Sequence, residues 1–147
     1  MANTTGDFIA EGNWQAVEDS FNNMPFVKRL GIVVSLADPD CPRCTLEHVE
    51  DYHLGGIGQN YINGAITSGV IDLAIGLTGL RHAPKGYFAT SSLHIDLNRP
   101  VEHTGFYATA RATQQIGKNI FSEATVFSVD GEPRVHATGV VRVGIRR

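Results

Sequence analysis

Apolar and polar residues alternate through most of the second half of this chain and recur at helical spacing near its start. Over residues 87–98, Leu93, Ile95 and Leu97 fall on one face and Ser92, His94, Asp96 and Asn98 on the other, the period of two of a half-buried strand. Residues 105–116, 119–129 and 134–145 continue the alternation. Gly117-Lys118 and Asp130-Gly131 supply the turns between them, the second a strong hairpin signal. Upstream, residues 30–37 are apolar and β-branched and residues 44–50 alternate, which predicts two strands joined by a Pro-containing turn from Asp38 to Pro42. Trp14, Val17 and Phe21 repeat behind Asn13, a suitable N-cap, and predict a helix over 13–23 that Met24-Pro-Phe breaks.

Between these strand regions the pattern changes. A Gly-rich loop runs from His53 to Tyr61, and from Asn63 to about Leu80 the chain lacks proline and is apolar or small on nearly every face. A helix hydrophobic all round is a buried helix. The expected order is therefore helix, two strands, one buried helix and four strands. A single antiparallel sheet wrapped around one long helix, an α+β arrangement, accounts for both patterns. The length, 147 residues, suits one domain over 1–147, with 1–24 as an N-terminal helical extension and 63–80 as the central helix.

Charge narrows the function classes. Twelve basic against fifteen acidic residues give a formal charge of −3, which argues against the basic face that nucleic-acid binding requires. No apolar run approaches the roughly 20 residues of a bilayer crossing, so no membrane partner is expected. Met1-Ala-Asn-Thr-Thr-Gly-Asp7 has neither the basic nor the apolar region of a signal peptide, and a soluble, cytoplasmic protein is expected. The two cysteines read Cys41-Pro-Arg-Cys44, which invites a redox or a metal hypothesis. A strand-like segment follows them where a redox motif opens a helix. Zinc would need two further ligands, with only His48 and His53 nearby. Reduced bystander thiols are the expectation, with no metal and no cofactor.

Asp72 is the one formally charged residue between Asp51 and Arg81. Burying a carboxylate costs several kcal/mol unless it is paired, and no Lys or Arg lies within a helical turn. Either it bonds a hydroxyl such as that of Ser68 or a backbone amide, or it does chemistry. The helix start offers a partner for such chemistry. Asn63 is a good N-cap, and Gly64 and Ala65 leave the first amides uncovered at the positive end of the helix dipole. Such amides polarise a carbonyl and stabilise an oxyanion.

The segment Asn63-Gly-Ala-Ile-Thr-Ser-Gly-Val-Ile-Asp72 resembles the His-Gly-Gly…Asp/Glu helix of the hotdog-fold acyl-CoA thioesterases, in their phenylacetate-pathway (PaaI-like) branch within the 4-hydroxybenzoyl-CoA thioesterase superfamily. Ser92-Leu-His-Ile-Asp-Leu-Asn-Arg-Pro100, Gly105 to Arg111, Gly117-Lys118 and Asp130-Gly131 follow that family's strand pattern in order. The resemblance covers roughly residues 25–145 and implies a hotdog fold, an acyl-CoA substrate and thioester hydrolysis. Asn63 stands in place of the family's His and Ala65 in place of its second Gly. Asn caps and donates a hydrogen bond but is no acid or base near neutral pH. Ile57 occupies the position of a loop Gln or Asn, with Gln59 and Asn60 close by, and Gly76 that of a hydroxyl found in some relatives.

Gly64 and Asp72 lie eight residues apart, about 12 Å along a helix, too far to act on one carbonyl from one chain. Two antiparallel copies bring them together, so a homodimer is expected, and the resemblance implies a dimer or a homotetramer. The expected catalytic group is Asp72, as general base or nucleophile, with Gly64 and Asn63 at the carbonyl. Gln59, Asn60, Ala65, Thr90 and Ser92 are expected around the substrate, with His94 as a satisfied interface residue. Arg99, Lys118 and Arg111 are candidates for the CoA phosphates. The alternatives are a non-catalytic acyl-CoA binding or regulatory protein and, third, a hydratase or dehydratase.

Overall fold

The computed structural model describes residues 2–55, 60–83 and 86–144. Three short helices open the chain: α1 (Thr5–Glu11), α2 (Trp14–Asn22) and α3 (Pro25–Leu30). Strands β1 (Ile32–Ser35) and β2 (Arg43–Leu46) precede the central helix α4 (Gly64–Leu77). Strands β3 (Tyr87–Asp96), β4 (Phe106–Ile116), β5 (Asn119–Ser128) and β6 (Pro133–Gly144) follow it. All pair antiparallel in one sheet of order β1-β2-β4-β5-β6-β3, which curls around α4 so that β2, β3, β4, β5 and β6 pack on the helix. This is the sheet-around-helix arrangement that the sequence pattern predicts, and the hotdog fold that the family resemblance implies.

The N-terminal segment departs from the expected single helix. Thr4 and Asp7 form a reciprocal capping box that starts α1 where the sequence reads as polar chain. Pro25 ends α2 but also opens α3, because a proline at the first helical position gives up an amide that has no partner anyway. β2 stops at Leu46 rather than running to residue 50, and α4 stops at Leu77 rather than Leu80, where the Thr78 hydroxyl donates to the Ile75 carbonyl at 2.6 Å.

α2 lies against the free edge of β1. The Asn22 carboxamide pairs with Val34 as a strand would, accepting from its N–H at 2.8 Å and donating to its carbonyl at 2.9 Å. Glu18 accepts from the Leu36 N–H at 2.7 Å. These bonds cover backbone groups that would otherwise offer an open edge. At the other margin of the sheet, β3 pairs, among the described residues, with β6 alone.

α4 is not buried all round. Thr67, Val70, Ile71, Ala74, Ile75 and Leu77 pack on the sheet, while Ala65 and Asp72 are exposed. The absence of charge on most of the helix serves two surfaces: a packed inner one and an open outer one.

Candidate functional site

Backbone bonds fix the start of α4. Asn63 is its N-cap, and the Asn63 Oδ1 accepts from the Ala65 N–H at 2.8 Å. The Asn63 N–H donates to the His53 carbonyl at 2.8 Å, tying the helix to the loop before it. His53 is fully buried there: Nδ1 accepts from the Glu50 N–H at 2.9 Å, so Nε2 carries the proton that meets the Leu30 carbonyl at 2.7 Å. Both ring nitrogens serve the backbone, which accounts for this histidine without a metal. Gly55, at φ +151°, passes so close that a Cβ would lie 2.8 Å from the Asn63 Nδ2.

The cap changes the expectation that Gly64 and Ala65 both present free amides. Ala65 is satisfied by Asn63, which leaves Gly64 as the amide with no partner among the described residues. Gly64 opens onto a cleft of about 360 Å³ shared with Tyr61, Leu97, Arg99 and Val101. Leu97 Cδ1 lies 3.5 Å from where a Gly64 Cβ would stand, so a larger side chain would crowd this cleft.

Asp72 lines a different cleft, of about 320 Å³, between the second half of α4, β3 and α2. Among the described residues it makes neither an ion pair nor a hydrogen bond; the bond to Ser68 is not formed. Exposure rather than pairing keeps its charge hydrated in the single chain. Thr90 faces the same cleft, with Oγ1 3.4 Å from where a Cβ on Gly76 would stand. The hydroxyl missing from residue 76 is thus matched by one from the facing strand.

A bulge in β3 decides which side chains reach this cleft. The register with β6 slips between Thr90 and Ser92, with Ser91 donating its hydroxyl proton to the Val140 carbonyl at 3.1 Å. Thr90 opposes the buried Val141 on the α4 side, whereas Ser92 and His94 oppose Val140 and Thr138 on the outer face. Ser92 and His94 border a separate surface depression with Phe121 and Glu123. The sequence reading set Thr90 and Ser92 together around the substrate; the bulge separates Thr90 from Ser92 and from His94.

The remaining candidates are dispersed. Arg99 borders the Gly64 cleft and lies 3.7 Å from Glu132. Lys118 is exposed in the β4–β5 turn and lines neither cleft. Arg111 pairs with Glu123 at 3.0 Å. Asn60 is exposed and its carbonyl accepts from the His103 N–H at 3.0 Å, while Gln59 and Ile57 lie outside the described residues. Phe21, which the sequence placed on the apolar face of the first predicted helix, proves to line the Asp72 cleft. Its helical repeat was legible; the cleft beyond it was not.

Cys41 and Cys44 are both free thiols, and burial in β2 pushes the Cys44 thiol up to about 12. Among the described residues no three His, Cys, Asp or Glu side chains converge as a metal site, and no helix is long and apolar enough to cross a membrane.

The architecture is therefore a hotdog fold in which, among the described residues, a helix-start amide in one cleft and a carboxylate in another lack partners. No family model and no curated protein matches the sequence. Solved structures match the fold. A thioesterase-superfamily protein from Shewanella oneidensis superposes with TM-score 0.77 at 20% identity, covering 93% of this chain and 98% of its own. The E. coli PaaI protein from the phenylacetic acid degradation operon gives 0.75 at 19% identity, covering 92% and 96%. A thioesterase from Haemophilus influenzae gives 0.77 at 13% identity, covering 90% of each chain.

Proposed function

We propose that this protein hydrolyses acyl-CoA thioesters at sites shared between two copies of the chain. The observation that carries the reading is the separation of the two reactive groups. The Gly64 amide and the Asp72 carboxylate occur in different clefts of one chain, each lacking a partner among the described residues. Two α4 helices side by side and antiparallel set the Gly64 of each against the Asp72 of the other. The thioesterase names of the structural neighbours support the same reaction class.

In this mechanism the Gly64 N–H, reinforced by the positive end of α4, polarises the thioester carbonyl. Asp72 of the other copy takes a proton from water, with the Thr90 hydroxyl as a second anchor for that water. The water oxygen bonds to the carbonyl carbon, and the oxyanion forms against the Gly64 amide. The carbon–sulfur bond then breaks; the thiolate leaves with a proton returned from Asp72, and the free acid remains. Direct attack by Asp72, giving a mixed anhydride that water then opens, uses the same two groups. Arg99, which borders the Gly64 cleft, is the cation assigned here to the CoA phosphates.

The test combines loss and rescue. Release of free CoA, followed with a thiol reagent, falls about 10²–10⁴-fold in Asp72→Asn. Gly64→Val covers the amide and also loses activity. Mixing and re-associating the two inactive variants restores about one quarter of the wild-type rate, because half the dimers regain one of two intact sites. No restoration in confirmed mixed dimers rejects the shared site.

A further inference from the structure

The Asp72 cleft has a composition that selects a substrate class. Its walls are aromatic and aliphatic: Phe21 from α2, Leu73 and Leu77 from α4, and Phe88 from β3. Its polar groups are the Asp72 carboxylate and the Thr90 hydroxyl, and no Lys, Arg or His lines it among the described residues. From Asp72 to Leu77 the helix advances about 7.5 Å, so the cleft beyond the carboxylate has the depth of a phenyl ring or a short chain. Gly76 leaves the floor open there, where a Cβ would stand 3.4 Å from the Thr90 Oγ1.

One wall does not belong to the sheet-and-helix unit. Phe21 comes from the N-terminal helices and is half-buried in the cleft. Its neighbour Asn22 holds both the N–H and the carbonyl of Val34, and Glu18, one turn earlier, holds the Leu36 N–H. Three polar bonds to the edge of β1 thus fix the helix segment that carries this side chain. An aromatic ring held by its backbone neighbours in this way forms a stiff stop.

We propose that Phe21 is a specificity-determining residue that closes the acyl end of the Asp72 cleft, restricting the substrate to a compact, uncharged aromatic or short-chain acyl group. Asn22 is its positioning residue. The inference rests on the thioesterase reading and adds the acyl class to it. A tail carrying a carboxylate is rejected, because it would meet Asp72 and no cation.

The experiment compares kcat/KM for benzoyl-, butyryl-, dodecanoyl- and succinyl-CoA. The wild type favours benzoyl- and butyryl-CoA, and turnover of dodecanoyl- or succinyl-CoA as efficient as that of butyryl-CoA overturns the assignment. Phe21→Ala raises the ratio of dodecanoyl to butyryl turnover by about 10-fold or more, the scale on which an apolar pocket discriminates by size. Asn22→Ala shifts it in the same direction by less. Phe21→Leu retains aliphatic packing and tests the ring if the alanine variant does not fold. An unchanged ratio in a folded Phe21 variant overturns the role of the ring. If the wild type hydrolyses none of these thioesters, it is the thioesterase reading that fails. The cleft is then probed by calorimetry with the uncharged amides benzamide and octanamide. A shift toward octanamide in the Phe21 variant sustains the stop; identical binding overturns it.

Discussion

Ile71 and Asp72 follow one another on α4 and meet opposite surroundings. Ile71 is fully buried in the core formed with the sheet, whereas Asp72 is exposed on the other side of the helix. The inner side is a set of large aliphatic residues whose identity follows from packing. The outer side, with Ala65, Gly69, Asp72 and Gly76, has little bulk; a Cβ on Gly69 would meet Phe26 at 4.0 Å. Nothing in one chain's packing requires a carboxylate at residue 72. The inner face explains why the helix forms; in the proposed reading the outer face meets a second copy and carries the reactive carboxylate.

The largest difference between the faces is in stability. Ile71→Ala removes buried carbon from a site that cannot collapse, at a cost of about 2–5 kcal/mol. Asp72→Asn, one residue away, stays within about 0.5 kcal/mol of wild type, as exposed substitutions do. Urea unfolding of the two variants under identical conditions checks both values. A loss of several kcal/mol in Asp72→Asn would give that residue a structural role.

A smaller effect separates the two kinds of group at the helix start. Asn63→Ala releases the Ala65 N–H and costs about 0.5–2 kcal/mol of stability, the usual worth of an N-cap. It leaves the Gly64 N–H in place, so the thioesterase reading expects a reduced but measurable rate in the folded variant. Comparing unfolding midpoints with rates for Asn63→Ala and Gly64→Val distinguishes the residue that builds the helix end from the amide that uses it.

How much of this was legible in the sequence differs by the kind of signal. The strand alternation over 105–116, 119–129 and 134–145 reads directly, because inner and outer faces of a half-buried sheet differ at every residue. α1 was missed because its start is written in the Thr4–Asp7 capping box rather than in a long apolar repeat. The bulge at Ser91 was illegible for a related reason: Thr90, Ser91 and Ser92 are all small and polar, so a slip in register leaves no mark on the pattern. Asp72 stood out as a lone charge, but its exposure did not, since an apolar helix reads alike whether its outer face meets protein or water. Phe21 was visible as a helical repeat and silent about the cleft, because nothing local links residue 21 to residues 72 and 90.

The smallest expected effect sharpens the same comparison between a carboxylate with partners and one without. Asp130 is exposed in the β5–β6 turn, yet it accepts from the Ser128 hydroxyl and, at 3.0 Å, from the Glu132 N–H. Those two bonds, the Ser128 hydroxyl first, hold its carboxyl below the usual carboxylate range, with Arg134 adding a lesser pull. A carboxyl lowered on folding stabilises the native state above its unfolded-state value, and that contribution disappears as pH falls through the folded value. Asp130→Asn keeps an acceptor but not the charge, so its destabilisation is largest near neutral pH and shrinks on acidification. Unfolding free energies of wild type and Asp130→Asn, measured from about pH 7 down to about pH 2, test this. A difference that stays constant over that range would mean that the turn uses the geometry of the side chain and not its ionised form.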